Sequence, residues 1–399
     1  MPSAPAPRVL LPTLAGLIVV TLALRPQIIG IGPLVPAIRA DLGISHAVAG
    51  LLGTIPVLCM GLFAPVGPRL ARRLGPRLAI AACVAAIAGF GLVRALVPGA
   101  PLVLAATFGI GIGTGAVGPI FTMFVWLRTP DRPALGTGAY AAGIVLGATV
   151  AAAVAVPLAG PSLDWRLAFA VFSVAALLSV AAWLLIVPWD TADTRVDVRP
   201  IRMPWRSATA WMLAVVFGLQ SVLYFAMATW VPNVYVERGW SEAEAAGLVA
   251  LLHVVGLVTL VAVPLVADRL GSRRAQLVLT SVGTVISTAG FVALPDLAWL
   301  WACFFGLSVG AIFPLALALP VDVSGDAREV GSTAALMLLA GYLASSLGPA
   351  VLGLARDVTG DFGASLWILL ALAVGLLVAS ATLSPARLRR GVGRAPALG

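Results

Sequence analysis

The sequence predicts an all-α membrane protein whose twelve transmembrane helices form two pseudo-symmetric six-helix bundles. Hydrophobic residues make up 61% of the 399 residues and charged residues only 10%, against roughly 45–50% and 25% in soluble domains. The apolar residues lie in runs of about 20, the length that an α-helix needs to cross a bilayer. Short sequence patterns of the first half also recur in the second half, as they do in chains built from internal repeats.

Twelve apolar segments have the length of membrane helices. They are 10–38, 45–67, 78–97, 102–126, 134–158, 166–187, 208–235, 243–267, 275–294, 297–320, 330–355 and 362–383. The joining loops are short, so no separate soluble domain is expected. The first segment is too long for a signal peptide and has no small-x-small cleavage site at its end. Cys59, Cys83 and Cys303 fall inside segments at unrelated spacings, which predicts no disulfide, metal site or cofactor.

The positive charge of the chain predicts its orientation in the membrane. The net charge is +9, and every one of the 25 basic residues is an arginine. If both termini are cytoplasmic, nineteen arginines lie on the cytoplasmic side, five lie outside, and Arg25 remains within a segment. Such an excess of arginine follows the positive-inside rule. We therefore expect an inner-membrane protein with both termini in the cytoplasm, and no nucleic-acid partner.

The internal repeat has a nearly constant offset of 195 or 196 residues. The matching pairs are PRLARRLGPR (68–77) with PLVADRLGSR (264–273), GAVGP (115–119) with GAIFP (310–314), Gly136 with Gly331, and Pro36 with Pro232. Two copies of one six-helix unit favour a transporter that holds its substrate near the membrane midplane. The predicted parts are bundles at 1–187 and 207–384, a polar cytoplasmic linker at 188–206 and an arginine-rich tail at 385–399.

One loop motif and several apolar segments resemble known transporters. The loop ADRLGSRR (267–274) is similar to the signature loop of the major facilitator superfamily, which implies that fold. By this resemblance, the gating and packing residues at the cytoplasmic face would be Asp268, Arg269, Gly271, Arg273 and Arg274. The first-half copy departs from the pattern, because Arg72 replaces the acidic residue. This leaves the gating of the first half open.

The resemblance extends to one branch of that superfamily. The stretches 25–45, 49–65 and 218–248 are similar to the cyanate and 2-nitroimidazole transporters. This implies transport of a small, flat, polar or anionic solute by alternating access, in a protein that generally works as a monomer. The identity of the solute and the direction of transport stay open.

Arg25 is the residue we expect to contact the solute. It lies about fifteen residues into the first segment, so at 1.5 Å per residue it sits about 22 Å from the start, near mid-bilayer. All sixteen acidic residues map to loops or helix ends, so an incoming anion is the favoured partner for this buried cation. In the alternative interpretation, backbone carbonyls, hydroxyls and amides satisfy its five donors.

Three prolines in the first segment predict an interrupted helix. Pro26, Pro33 and Pro36 each lack the N–H group that would bond to the carbonyl four residues earlier. Interrupted helices often mark the binding site of a transporter. Prolines are also common in membrane helices generally, which is the competing explanation.

The second half offers three polar residues at a comparable depth. Gln220 and Tyr224 share one helix face beside Ser221, which is the repeat counterpart of Arg25. His253 lies near the centre of segment 8, and the ordinary pKa of histidine, about 6.5, suits a proton switch. We expect Gln220 and Tyr224 to orient the solute and His253 to carry a coupling proton in symport. Helix–helix packing is the alternative for all three.

The remaining polar and aromatic residues have simpler interpretations. Arg94, at the end of segment 3, is expected to snorkel to the outer face. Trp165 and Trp230 fit interfacial anchors, although Trp230 could also close a pocket. GTGAVG (113–118) matches a dinucleotide-binding pattern by accident, since no strand precedes it. Its glycines, together with Gly109, Gly111, Gly306 and Gly310, are expected to allow close helix packing.

Two other functions compete with transport of a small anionic or planar polar solute. An efflux pump for neutral compounds is the alternative of the same fold, with Arg25 as a hydrogen-bond donor. A membrane enzyme or a sensor is disfavoured, because His253 and the three cysteines form no catalytic group and the chain offers no signalling domain.

Overall fold

The structure is a computed structural model that describes residues 7–129, 133–189, 203–266, 272–323 and 327–383. Fifteen α-helices and one short 3₁₀ helix (Pro295–Leu297) account for the regular structure of these residues. The α-helices are α1 (Pro7–Leu22), α2 (Pro26–Ile29), α3 (Ile31–Leu42), α4 (His46–Leu62), α5 (Val66–Leu74), α6 (Pro76–Leu96), α7 (Ala100–Arg128), α8 (Pro133–Ala159), α9 (Trp165–Ile186), α10 (Ala208–Glu237), α11 (Glu242–Val266), α12 (Arg273–Ala293), α13 (Ala298–Val323), α14 (Ala327–Thr359) and α15 (Gly363–Thr382).

The helices have the length and composition of membrane spans. Within the described residues, eleven spans pass this test, and the pair α4–α5 makes a twelfth if its two helices, bent by 66°, count as one. Large apolar side chains such as Leu96, Leu185 and Val358 are exposed, as lipid-facing residues are, because hydrocarbon does not penalise apolar surface. The predicted all-α membrane fold is confirmed.

The chain forms two compact units. The first contains α1–α9 together with Ala228–Ala250, which belongs to α10 and α11. Inside it, α6 packs against α7 and α9, α1 packs against α8, and α4 packs against α7. Its core includes Ile87, Phe121 and Trp183, and the ring of Trp183 lies 5.0 Å from that of Phe124.

The second unit contains the rest of α10 and α11 together with α12–α15. Here α12 packs against α13 and α15. These contacts repeat, one copy later in the sequence, those of α6 with α7 and α9. Most of the predicted linker (190–202) and the whole of the predicted tail (385–399) lie outside the described residues, so the exact domain boundaries stay a prediction.

Glycines let neighbouring helices approach closely at matching places in the two units. A Cβ on Gly115 of α7 would overlap the carbonyl oxygen of Cys59 on α4. A Cβ on Gly310 of α13 would lie 2.6 Å from Cα of Gly256 on α11. Since Gly115 and Gly310 are repeat partners, the same small-residue contact recurs in both copies. Gly118, by contrast, is exposed and meets no neighbouring atom.

Candidate functional site

The first membrane span is interrupted at Arg25. Helix α1 ends at Leu22, a turn follows, and Arg25 is the N-cap of the four-residue helix α2, which begins at Pro26. Pro26 has no N–H to bond to the carbonyl of Leu22, so the α1 pattern cannot continue through it. The carbonyl of Arg25 accepts hydrogen bonds from the N–H groups of Ile28 and Ile29, both at 2.9 Å.

The other two prolines of this span do not end a helix. Gly30 separates α2 from α3, and Pro33 lies in the first turn of α3, where a helix has no intrahelical partner for its N–H groups anyway. Helix α3 continues through Pro36 to Leu42. The interruption therefore lies at Arg25–Pro26 and Gly30, upstream of Pro33 and Pro36.

Arg25 itself is half-buried, and its Nη1 atom lies in the protein interior. Its side chain leaves the backbone at the break and not from the middle of a regular helix. A guanidinium group in a poorly hydrated place interacts more strongly with an anion than the same group in water. Arg25 thus has the position and the chemistry of an anion-contacting residue.

Two of the three site residues predicted in the second unit lie together in the structure. The hydroxyl oxygen of Tyr224 on α10 lies 2.9 Å from Nε2 of His253 on α11, and the two rings meet edge to face. Gln220, one turn before Tyr224, accepts a 3.4 Å hydrogen bond from the hydroxyl of Ser221. Gln220 and His253 are buried, whereas Tyr224 is half-buried. The structure therefore brings Tyr224 and His253 into direct contact.

A second intramembrane arginine lies where the sequence predicted a snorkelling residue. Arg94 is only 1% exposed, so the expectation that it reaches the outer face is wrong. Its Nη2 donates to the backbone carbonyl and to Oε1 of Gln27, at 2.9 and 2.6 Å, and its guanidinium stacks 4.2 Å from the ring of Phe169. The amide and backbone of Gln27 supply acceptors that the sequence did not reveal.

The expectation that Trp230 anchors the chain at the membrane interface is also wrong. Trp230 is 1% exposed, and its ring packs 5.9 Å from that of His46. Nε2 of His46 lies 2.8 Å from Nη1 of Arg39 and 3.9 Å from a carboxylate oxygen of Glu237. Trp165 is buried as well, and its indole N–H donates to Asp41 at 3.1 Å.

Comparison with known proteins shows the family to which the chain belongs. The family model described as Major Facilitator Superfamily matches residues 17–349. The chain belongs to the major facilitator superfamily. It is a membrane transporter and not an enzyme, because the family and the similar proteins that cover nearly the whole chain are transporters.

The sequences of known transporters align with nearly the whole chain. The Cyanate transport protein CynX of Escherichia coli (strain K12) is 30% identical, over 93% of this chain and 97% of its own. The 2-nitroimidazole transporter of the same organism is 26% identical, over 88% and 90%. The expected resemblance to this branch is confirmed. A crystal structure of a D-xylose–proton symporter has a TM-score of 0.71 at 15% identity, over 94% of this chain and 98% of its own, and shows the shared fold.

The superfamily's signature loop is only partly described by the structure. Asp268, Arg269 and Gly271 lie outside the described residues. Arg273, at the start of α12, pairs with Asp322 at the end of α13, with Nε and carboxylate oxygen 3.2 Å apart. Arg274 donates to the carbonyl of Ala381 at 3.0 Å.

The first-half copy of the signature loop falls on α5. Arg72, which stands where the motif has an acidic residue, is exposed in the last turn of this helix. A cation there interacts favourably with the helix dipole, which is a role different from that of the missing acid.

Proposed function

We propose that this transporter moves a small anionic or planar polar solute by alternating access, and that Arg25 contacts the negative group of the solute. The observation that carries the proposal is the position of Arg25 at a helix interruption inside the first membrane span. An arginine in hydrocarbon is costly, which favours a functional role for it. Interrupted helices are where transporters commonly bind solutes.

The chemistry of the guanidinium suits a small planar anion. Its planar fork of N–H donors matches a carboxylate-like anion through two parallel hydrogen bonds, and the same donors can bond to a terminal atom of a linear anion. Lysine would offer only a point charge. The relatives named for cyanate and for 2-nitroimidazole support a solute of this size and shape.

Gln220, Tyr224 and His253 complete the proposed solute-binding set. Gln220 offers an amide that can donate and accept hydrogen bonds, which helps to orient a polar solute. His253 takes up the coupling proton, so that anion and proton are carried together. The contact between the Tyr224 hydroxyl and Nε2 of His253 supports this role, because the hydroxyl can donate to a neutral imidazole and accept from a protonated one.

Location and orientation form part of the same proposal. We expect an inner-membrane protein with both termini in the cytoplasm, and the excess of arginine in the loops assigned to that side supports this orientation by the positive-inside rule. We expect a monomer, since each copy of the fold contains both six-helix halves. Labelling of single introduced cysteines from either side of the membrane tests the orientation.

The alternative function is efflux of a neutral planar compound. The similarity to a transporter named for 2-nitroimidazole supports a planar solute of this kind. Arg25 would then act as a hydrogen-bond donor and not as a counter-charge, and Arg25→Gln would keep most of the activity.

Uptake of radiolabelled cyanate into proteoliposomes tests the proposal. We expect wild-type protein and the exposed-arginine control Arg206→Ala to accumulate unmodified label, Arg25→Lys to be impaired, and Arg25→Ala to be inactive. Equal uptake by Arg25→Ala and wild type would refute the role of Arg25. Export of 2-nitroimidazole by a protein that ignores every small anion would favour the alternative.

A further inference from the structure

Arg94 is a buried cation without a carboxylate partner among the residues that the structure describes. It lies in the last turn of α6, and it is 1% exposed. Its Nε and Nη1 atoms are buried and make no hydrogen bond within the described part of the chain. A side chain kept only for stability would not leave charged donors in this state, because buried polar groups are costly unless they are bonded. This raises the question of what the arginine holds in place.

Both hydrogen bonds that Arg94 donates go to Gln27, in the four-residue helix α2. Nη2 donates both to the backbone carbonyl and to the side-chain oxygen of Gln27. The amide nitrogen of Gln27 donates in turn to the hydroxyl of Ser173, at 2.8 Å, and to the carbonyl of Phe169, at 3.3 Å. Gln27 is therefore held from α6 on one side and from α9 on the other.

The helices around α2 are shaped to accept this arrangement. A Cβ on Gly91 of α6 would lie 2.7 Å from the amide nitrogen of Gln27 and would overlap the hydroxyl of Ser173. At the end of α2, a Cβ on Gly30 would lie 2.9 Å from the carbonyl oxygen of Pro26 and 3.0 Å from the ring of Phe172 on α9. Both glycines leave room that a larger residue would close.

Arg25 is two residues before Gln27, at the start of the same short helix. A helix of four residues has too few internal hydrogen bonds to fix its own direction, so its orientation depends on the groups that hold it. We propose that Arg94 is a positioning residue for solute binding: through its two bonds to Gln27 it fixes α2, and thereby the direction in which Arg25 presents its guanidinium. This inference rests on the proposed function of Arg25.

A variant in which both Arg94 and Gln27 are replaced by leucine distinguishes an effect on the position of Arg25 from an effect on protein stability. Replacing both members of a buried polar pair by apolar residues often leaves stability unchanged, so the double variant Arg94→Leu/Gln27→Leu is expected to fold. Cyanate affinity is measured by calorimetry, and the melting temperature is measured without solute. Ser179→Ala is the control for loss of a buried hydrogen bond elsewhere, on α9. We expect a melting temperature near that of wild type, and affinity weakened by about tenfold, since small misplacements of a binding group cost that much or more.

Two further variants distinguish a loss of positioning from a loss of folding. Arg94→Lys keeps a charged donor for Gln27, and we expect it to recover most of the affinity even if the double variant folds poorly. Adding Arg94→Leu/Gln27→Leu to the impaired variant Arg25→Lys is expected to cause little further loss of affinity, because both changes act through one contact with the solute. Wild-type affinity in the folded double variant, an additive loss in the combined variant, or an Arg94→Lys protein that is stable but binds poorly would overturn the inference. If Arg25→Ala alone binds cyanate normally, the proposed function fails, and this inference fails with it.

Discussion

The hydroxyl oxygen of Tyr224 lies 2.9 Å from Nε2 of His253, and this contact joins α10 to α11 within the second unit. A neutral imidazole with its proton on Nδ1 accepts the tyrosine hydrogen at Nε2, whereas a protonated imidazole donates from Nε2 to the tyrosine oxygen. Protonation of His253 therefore reverses the direction of one hydrogen bond. The reversal reorients the hydroxyl, which links the proposed proton site to the polar face that Tyr224 shares with Gln220.

His253→Gln should remove the pH dependence of uptake. In the proposed symport, a proton bound at His253 accompanies the anion, so the initial rate of uptake is expected to rise as the pH falls. Glutamine keeps a hydrogen bond to Tyr224 but cannot carry this proton. Initial rates measured over a series of pH values check the expectation. His46→Gln, which changes the only other histidine of the chain, serves as the control and should keep the wild-type profile.

Tyr224→Phe should weaken transport without abolishing it. The change removes one hydrogen bond, worth about 0.5–1.5 kcal/mol, so kcat/KM is expected to fall by roughly two- to tenfold. Tyr140→Phe is the matched control, because Tyr140 packs on Phe121 in the first unit, 5.9 Å between ring centres. If both changes reduce kcat/KM equally, the contact with His253 has no special role.

Gly115→Ala should destabilise the protein, whereas Gly118→Ala should not. The new methyl group at 115 would overlap the backbone of Cys59, and overpacking of this kind costs about 1–3 kcal/mol. The same change at 118 meets no atom within 4 Å, and alanine favours the helix by up to about 1 kcal/mol. Melting temperatures in detergent measure the difference. A Gly115→Ala protein as stable as Gly118→Ala would show that α4 and α7 are not so closely packed.

Asp322→Asn should change the rate of transport more than the affinity for solute. It removes the charge that faces Arg273, 3.2 Å away, at the ends of α13 and α12. Partly exposed ion pairs contribute up to about 1 kcal/mol, so we expect up to a fivefold change in the turnover rate. Turnover and solute dissociation constant, measured on the same preparation, separate the two effects. A change confined to the dissociation constant would contradict a role in gating.

Hydropathy and the internal repeat were sufficient to predict the helices, because both are properties of one stretch of chain at a time. The break at Pro26 was also predictable, since a missing N–H acts on its own helix. Pro36 shows the limit: it carries the same chemistry, yet α3 continues through it. A proline's effect depends on the surrounding packing, which a single segment does not contain.

Arg94 shows why the rest of the site could not be predicted. Its place near a helix end fits snorkelling equally well, and its acceptors belong to Gln27, 67 residues away in the sequence. Trp230 was misplaced for the same reason, because its partner His46 comes from a distant helix. Contacts between helices decide burial, and sequence periodicity does not report them.

A solute-induced thermal shift in detergent is the most direct test of whether Arg25 contacts an anion. Wild type and Arg25→Ala are each heated with cyanate, nitrate, small carboxylates and 2-nitroimidazole. A ligand at 100 times its dissociation constant adds about 2.7 kcal/mol of apparent stability. We predict that an anion raises the melting temperature of the wild type and leaves Arg25→Ala unchanged. If a neutral compound stabilises both proteins equally and no anion raises the melting temperature of the wild type, Arg25 does not contact an anion as proposed.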